Sequence, residues 1–202
     1  MDCLPGNAKL LRDGVHELYI EQFHDMINRG VVSKISQEEM DSYSGLVNYI
    51  VHHEVYKDSN STPVCLVSDS SFRNGQTSLN DCLVKGPNML ADIFDHLIKF
   101  RSYEMALVYD VTKAYNSMKT RQVERHVWRL WMRLSSEEDW QVYGFNTVQF
   151  GDRPAAALLT VAVEKAVENY EEVASKLGLP TDIFKEDARK LLLDTYVNNG
   201  TT

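Results

Sequence analysis

The chain has 202 residues, 44% of them apolar, with 21 Lys plus Arg against 29 Asp plus Glu and a net charge of −8. A chain of that size holds a full core without metal or disulfide staples, and the acidic balance excludes a protein whose whole surface attracts nucleic acid or anionic lipid. Cys3, Cys65 and Cys82 are odd in number and form no CxxC pair, so neither a disulfide framework nor a zinc site is suggested. The N-terminus lacks an apolar signal core, and no apolar run approaches the roughly eighteen residues of a membrane span. The expectation is one domain over 1–202 with 1–14 as a flexible N-terminal stretch, in the cytoplasm or nucleus, with no membrane partner.

Val15 to Arg29 places Val15, Leu18, Tyr19, Phe23, Met26 and Ile27 on one helical face, with Asp13 as cap and Gly30 past the end. Asn48 to Val55 and Val64 to Val67 read as paired strands around a turn at Lys57 to Asn60. The adjacent His52 and His53 then point to opposite faces and read as structural. Ser68 to Lys85, rich in Ser, Asn, Asp and Gly, reads as a long loop. Asn88 is expected to cap a helix whose Met89, Leu90, Ile93, Phe94, Leu97 and Ile98 face inward. Met105 to Tyr109 is a short apolar run of the kind found in buried strands, with Asp110 at its end.

Arg121 to Leu134 fits both periods, because Arg121, Arg125, Arg129 and Arg133 recur every four residues while Trp128 to Leu134 alternate. The polar Ser135 to Asp139 and the β-rich Trp140 to Phe150 favour a hairpin preceded by a helical turn at Arg121 to Arg125. Pro154 opens a long helix, apolar nearly all round through Val163 and closing at Gly178, with its first half expected to be deeply buried. A shorter helix over Asp182 to Arg189 leads to the apolar Leu191 to Leu193 and Thr195 to Val197, then Asn198-Asn199-Gly200.

Four segments in order carry a resemblance: PVCLVSDSS with SLNDCLVKGPNM, FRSYEMALVYDVTKAY, WQVYGFNTVQFG and LLLDTYVNNG. Together they resemble the reverse transcriptase domain of BEL/Pao-type LTR retrotransposons, over about residues 15–202. The resemblance implies an α+β fold of fingers and palm, an antiparallel palm sheet backed by helices, with no thumb. In that family, one divalent ion activates a primer hydroxyl and a second holds the triphosphate, and carboxylates hold both. Asp110 matches the first metal-binding Asp, and Tyr115 matches the aromatic residue under the incoming sugar. The second acidic motif, Tyr-x-Asp-Asp, is matched by Tyr196-Val197-Asn198-Asn199, so both carboxylates are amides. An amide oxygen is a neutral ligand, poorly suited to gathering two hard cations. No cofactor is therefore expected, the ancestral Mg²⁺ site being lost.

Two further departures point the same way. Cys65 stands where the family has a triphosphate-gripping Arg, four residues before the position of Asp69, so a cationic fork is missing. After the match to NTVxYG, where the family is small and polar, this chain has Gly151-Asp152-Arg153-Pro154, an acid near where a nucleotide would lie. The remaining candidate is the arginine stripe Arg121, Arg125, Arg129 and Arg133 with Trp131, read first as a solvated face and otherwise as a patch for a protein partner or for phosphate. No P-loop, GxGxxG, GxSxG or HExxH string gives another enzyme class a foothold. The expectation is a catalytically inactive, domesticated reverse-transcriptase-like domain serving as a protein-interaction or scaffold module, with a protein partner or a second copy of itself. The alternatives are a fragment or active-site mutant of a retroelement RNA-directed DNA polymerase, and a non-catalytic nucleic-acid binder disfavoured by the charge.

Overall fold

Tyr19 and Phe23 recur one helical turn apart and are buried, with Ile20, Met26 and Ile27 partly buried beside them, so His16–Asn28 coils as helix α1 with one face inward. Its end is a Schellman motif: Gly30, at φ +68°, donates to the Ile27 carbonyl and Val31 to the Met26 carbonyl, both at 2.9 Å. Glycine suits that left-handed position because it has no Cβ to clash. The computed structural model describes residues 16–56, 64–89, 92–102, 104, 111–135 and 137–178. They form a mixed α and β fold with small antiparallel sheets, as expected at that level of detail. The expected cap Asp13, the strand 105–109 and everything beyond Gly178 lie outside the described residues.

Two compact units share the chain, one within Met1–Leu83 and Tyr115–Asp152, the other within Val84–Ala114 and Arg153–Thr202. In the first, strand β1 (Val32–Lys34) leads to helix α2 (Gln37–Ser42), capped by the Ser36 hydroxyl accepting from Glu39 N. Strands β2 (Val51–Tyr56) and β3 (Val64–Asp69) pair antiparallel from Val51 opposite Asp69 to Tyr56 opposite Val64, as the sequence predicts.

Ser68 to Lys85 is not a structureless loop. β3 runs on to Asp69, a two-residue hairpin of β4 (Arg73–Asn74) and β5 (Thr77–Ser78) follows, and Ser78 and Asp81 close a capping box on the short helix α3 (Leu79–Cys82). Two-residue strands carry no readable alternation, but the S-x-x-D box was present in the sequence.

The expected turn and hairpin are present as a 3₁₀ helix over Gln122–Trp128, strand β6 (Arg129–Met132) and strand β7 (Gln141–Phe145). The sheet order is β1-β7-β6, all antiparallel, with Ser33 opposite Gly144 and Gly144 opposite Arg129. Phe23, Leu130, Met132, Phe145 and Val64 meet in the core, where the Phe23 ring meets Tyr143 edge-on at 5.0 Å. Leu18, by contrast, is 38% exposed and leaves the apolar face assigned to it.

His52 ties three elements together: its Nδ1 pairs with the Tyr19 hydroxyl and its Nε2 with the Trp131 carbonyl at 3.0 Å. Burial pushes its pKa below the ordinary value. His53 is exposed, so the two adjacent histidines do face apart.

A side chain at Gly144 has no room: a Cβ there would sit 2.9 Å from Ile35 Cδ1 and 3.1 Å from the Arg125 carbonyl oxygen. Gly144→Ala is expected to destabilise the protein by about 1–3 kcal/mol, the usual cost of overpacking. Urea denaturation measures it, and an unchanged midpoint would mean that the backbone around Arg125 gives way freely.

In the second unit, helix α4 (Ile93–Ser102) begins later than expected. Asp92 supplies the capping acceptor to Phe94 N at 2.8 Å, in place of Asn88. Ile93, Phe94, Leu97 and Ile98 are exposed, contrary to the inward face assigned to them, and His96 is buried instead. Amphipathic spacing shows which residues share a face but not whether anything covers it. Helices α5 (Ala155–Glu168) and α6 (Tyr170–Lys176) follow Pro154, with a break at Asn169 and an end at Gly178. Ala155 is buried, but Leu158 and Val161 are exposed, so the first half of this long helix is not deeply buried as predicted.

Candidate functional site

β3 ends at Asp69, whose carboxylate Oδ1 accepts from Ser71 N at 2.9 Å and whose carbonyl accepts from Phe72 N at 3.4 Å. The turn this forms is bound to two other segments of the first unit. Asn80 on α3 donates its backbone N–H to the Ser70 carbonyl, and its side-chain amide to Ser71 Oγ and the Gly151 carbonyl, all at 2.9 Å. The Ser70 hydroxyl donates to Asp152 Oδ1, and Gln149 N donates to Asp152 Oδ2 at 3.3 Å.

Asp152 is 5% exposed. It therefore does not present an acid toward a nucleotide, as the sequence suggested, but is consumed as an internal acceptor. Burial pushes its pKa from 3.8 up to about 6, against the opposing pull of Ser70, Gln149 and the nearby Trp128 indole. That indole N–H is buried and makes no full hydrogen bond, so it acts on the carboxylate by proximity.

The sequence-derived positions fall as follows. Asp110, Asn198 and Asn199 lie outside the described residues. Tyr115 begins a 3₁₀ turn, with its ring edge-on to Phe150 at 5.6 Å, next to the exposed Gly151. Burial raises the Tyr115 pKa. Asp69 and Gly151 are brought together through Asn80. Cys65 lies opposite Val55 as a free, partly buried thiol, four residues or about 13 Å of strand before Asp69. Ser70 and Asn80, the residues that join this corner, were missed, because the partners they reach across the corner, Asp152 and Gly151, lie 82 and 71 residues away.

The arginine stripe is not one face. Arg121 is exposed and paired with Glu124 at 2.6 Å. Arg125, 6% exposed, is bound to both carboxylate oxygens of Glu39 and to Ser33 Oγ at 2.7 Å. Arg129, 4% exposed, donates to His126 Nδ1 at 2.7 Å and lies 5.9 Å from the Tyr43 and Tyr49 ring centres. Arg133 lies over the Trp140 ring at 5.3 Å.

Four-residue spacing would align these side chains on an α-helix, but the 3₁₀ turn and then a strand scatter them. The Arg125 hydrogen bonds hold the Glu39 carboxyl below its usual range, and burial followed by Arg129 pushes His126 down. Arg125 and Arg129 therefore belong to an internal cluster, while Arg121 stays solvated beside its acid, so the four do not form one face.

Beside the corner is a cleft of about 360 Å3, lined by Val47 to Val51, Asp69, Phe72, Thr77 and Leu79. Val47, Tyr49, Val51 and Phe72 are exposed there, and Tyr49 stacks on the exposed Trp131 at 5.8 Å, extending the apolar surface. Among the described residues no group of three His, Cys, Asp or Glu side chains could hold a metal ion, and no helix is long and apolar enough to cross a membrane. Compared with known proteins, the chain matches no family model and no curated protein.

Proposed function

We propose that this chain is a catalytically silent, reverse-transcriptase-like fingers and palm domain that acts as a protein-interaction module. The observation that carries the reading is the corner of Asp69, Ser70, Asn80, Gly151 and Asp152. There the Asp152 carboxylate and the Gly151 carbonyl, beside the matched nucleotide position, are taken up by Ser70 and Asn80, and one Asp69 carboxylate oxygen is held by Ser71 N. Cys65 offers no cation for a triphosphate, and Asn198 and Asn199 offer neutral oxygens where two carboxylates are needed. The interaction half of the reading rests on the exposed apolar cleft, whose rim is the kind of surface that marks protein contacts. Burial of Arg125 and Arg129 takes two of the four stripe arginines away from phosphate contact, and the net charge of −8 adds to this in favouring a protein partner.

The test is purification of the tagged chain from its native cells with and without nuclease. Protein partners that persist after nuclease are expected. Partners lost with nuclease would make nucleic acid, and not protein, the bound partner. The second reading, a fragment or mutant of a working polymerase, draws on the intact Tyr115 beside Phe150. Under it, Asn198→Asp with Asn199→Asp restores metal-dependent primer extension, whereas a silent interaction module stays inactive after that double change.

A further inference from the structure

We propose that the cleft of the first unit binds an arginine or lysine side chain carried on a short segment of a partner protein. This names the partner chemistry of the interaction module and rests on that reading. The cleft's volume of about 360 Å3 lies at the lower end of ligand-sized pockets, with room for one long side chain and part of the segment that carries it.

Asp69 supplies the charge. Its backbone is pinned by pairing with Val51, one carboxylate oxygen is taken by Ser71 N, and the other has no partner among the described residues. Three residues on, Phe72 is 50% exposed and has no ring partner among the described residues. A cation between this carboxylate and that ring gains an ion pair and a cation–π contact together. Val47, Val51 and Leu79 line the cleft with apolar surface, on which the methylene stem of an arginine or lysine can lie.

Tyr49 forms a fixed wall, because Trp131 stacks on it and its hydroxyl meets Arg129 Nη1 at 3.4 Å. That guanidinium is itself buried and does not line the cleft, so it makes no direct contact with a ligand there. A phosphate-bearing strand would meet the Asp69 carboxylate in a chain of net charge −8, whereas a basic peptide is attracted by both.

The experiment is titration of the 15N-labelled full chain with N-acetyl-arginine amide, with its uncharged isostere N-acetyl-citrulline amide, and with the single-stranded hexamer of dT. The arginine probe is expected to shift the amides of Val47 to Val51 and Asp69 to Phe72. Citrulline should bind at least tenfold more weakly, and Asp69→Asn should weaken the arginine probe at least tenfold. Phe72→Leu, which leaves the Asp69 turn in place, should weaken it several-fold. Equal response to citrulline, shifts confined to other residues, or occupancy of the cleft by the DNA hexamer would overturn the assignment. If the assignment falls while nuclease-resistant partners still co-purify, the interaction-module reading stands with a different surface. Primer extension by the chain would remove the reading itself.

Discussion

Replacing Glu39 with glutamine is expected to lower the unfolding free energy by about 3 kcal/mol, near the lower end of the cost of stripping a buried ion pair of one partner. Glu39 reaches from α2 to both Arg125 and His126, and His126 in turn accepts from Arg129. Without its charge two buried guanidiniums share one cluster with no paired carboxylate among the described residues. The lower end applies because the Glu39 side chain keeps 30% of its exposure while that of Arg125 keeps 7%.

The pH dependence has a definite sign. The Glu39 carboxyl is held below its usual value, so its contribution is complete above that value and is lost as pH falls through the depressed one. Urea denaturation of the wild type and the Glu39→Gln variant at neutral and acid pH measures both effects. A loss under about 1 kcal/mol, or an acid limb identical in the two proteins, would mean that the cluster is not held by Glu39.

Asp152→Asn is expected to change the pH dependence in the opposite direction. The Asp152 carboxyl is raised from 3.8 to about 6, so between those values the folded protein binds the proton more tightly than the unfolded chain. Stability therefore falls as pH rises through that window, and the full penalty, on the order of 3 kcal/mol for a shift of roughly two units, is present at neutral pH. Asparagine removes the titration. Its amide can still accept from Ser70, but it turns a donor toward Gln149 N, which returns about 1 kcal/mol of the gain.

His52 and His126 titrate with the opposite sign, because both are pushed down. The difference between wild type and variant isolates Asp152. That difference should grow in the variant's favour from pH 4 to pH 7, and a flat difference would mean that the carboxyl is not buried as described.

The legibility of the fold followed the length of the pattern. Helix α1, the β2–β3 pair and the β6–β7 hairpin each repeat their period several times or end in strong turn residues, and all three were readable. The β4–β5 hairpin was not, because two residues cannot display alternation. The arginine stripe misled for a different reason. Whether Arg125 is solvated depends on Glu39, 86 residues away in the chain, and no local period carries that information. Helix α4 shows the same limit, since its apolar positions were correctly grouped yet are exposed.

At the candidate site, Asp69, Gly151 and Tyr115 were marked through resemblance, and the fold supplies their surroundings. The joining residues Ser70 and Asn80 gave no signal, because a serine 82 positions from its acid partner looks like any other. Asp152 was flagged as an acid near the site, but its burial was decided by Ser70 and by Trp128 and Gln149 upstream of it, which only the folded chain brings together.

The most direct measurement of the central claim is primer extension on an RNA or DNA template by the purified chain, supplied with deoxynucleoside triphosphates and Mg²⁺ or Mn²⁺. The account predicts that the primer stays at its original length with either ion. Extension that depends on the metal and grows with time would contradict it, and would mean that Asn198 and Asn199 suffice where carboxylates were held to be required.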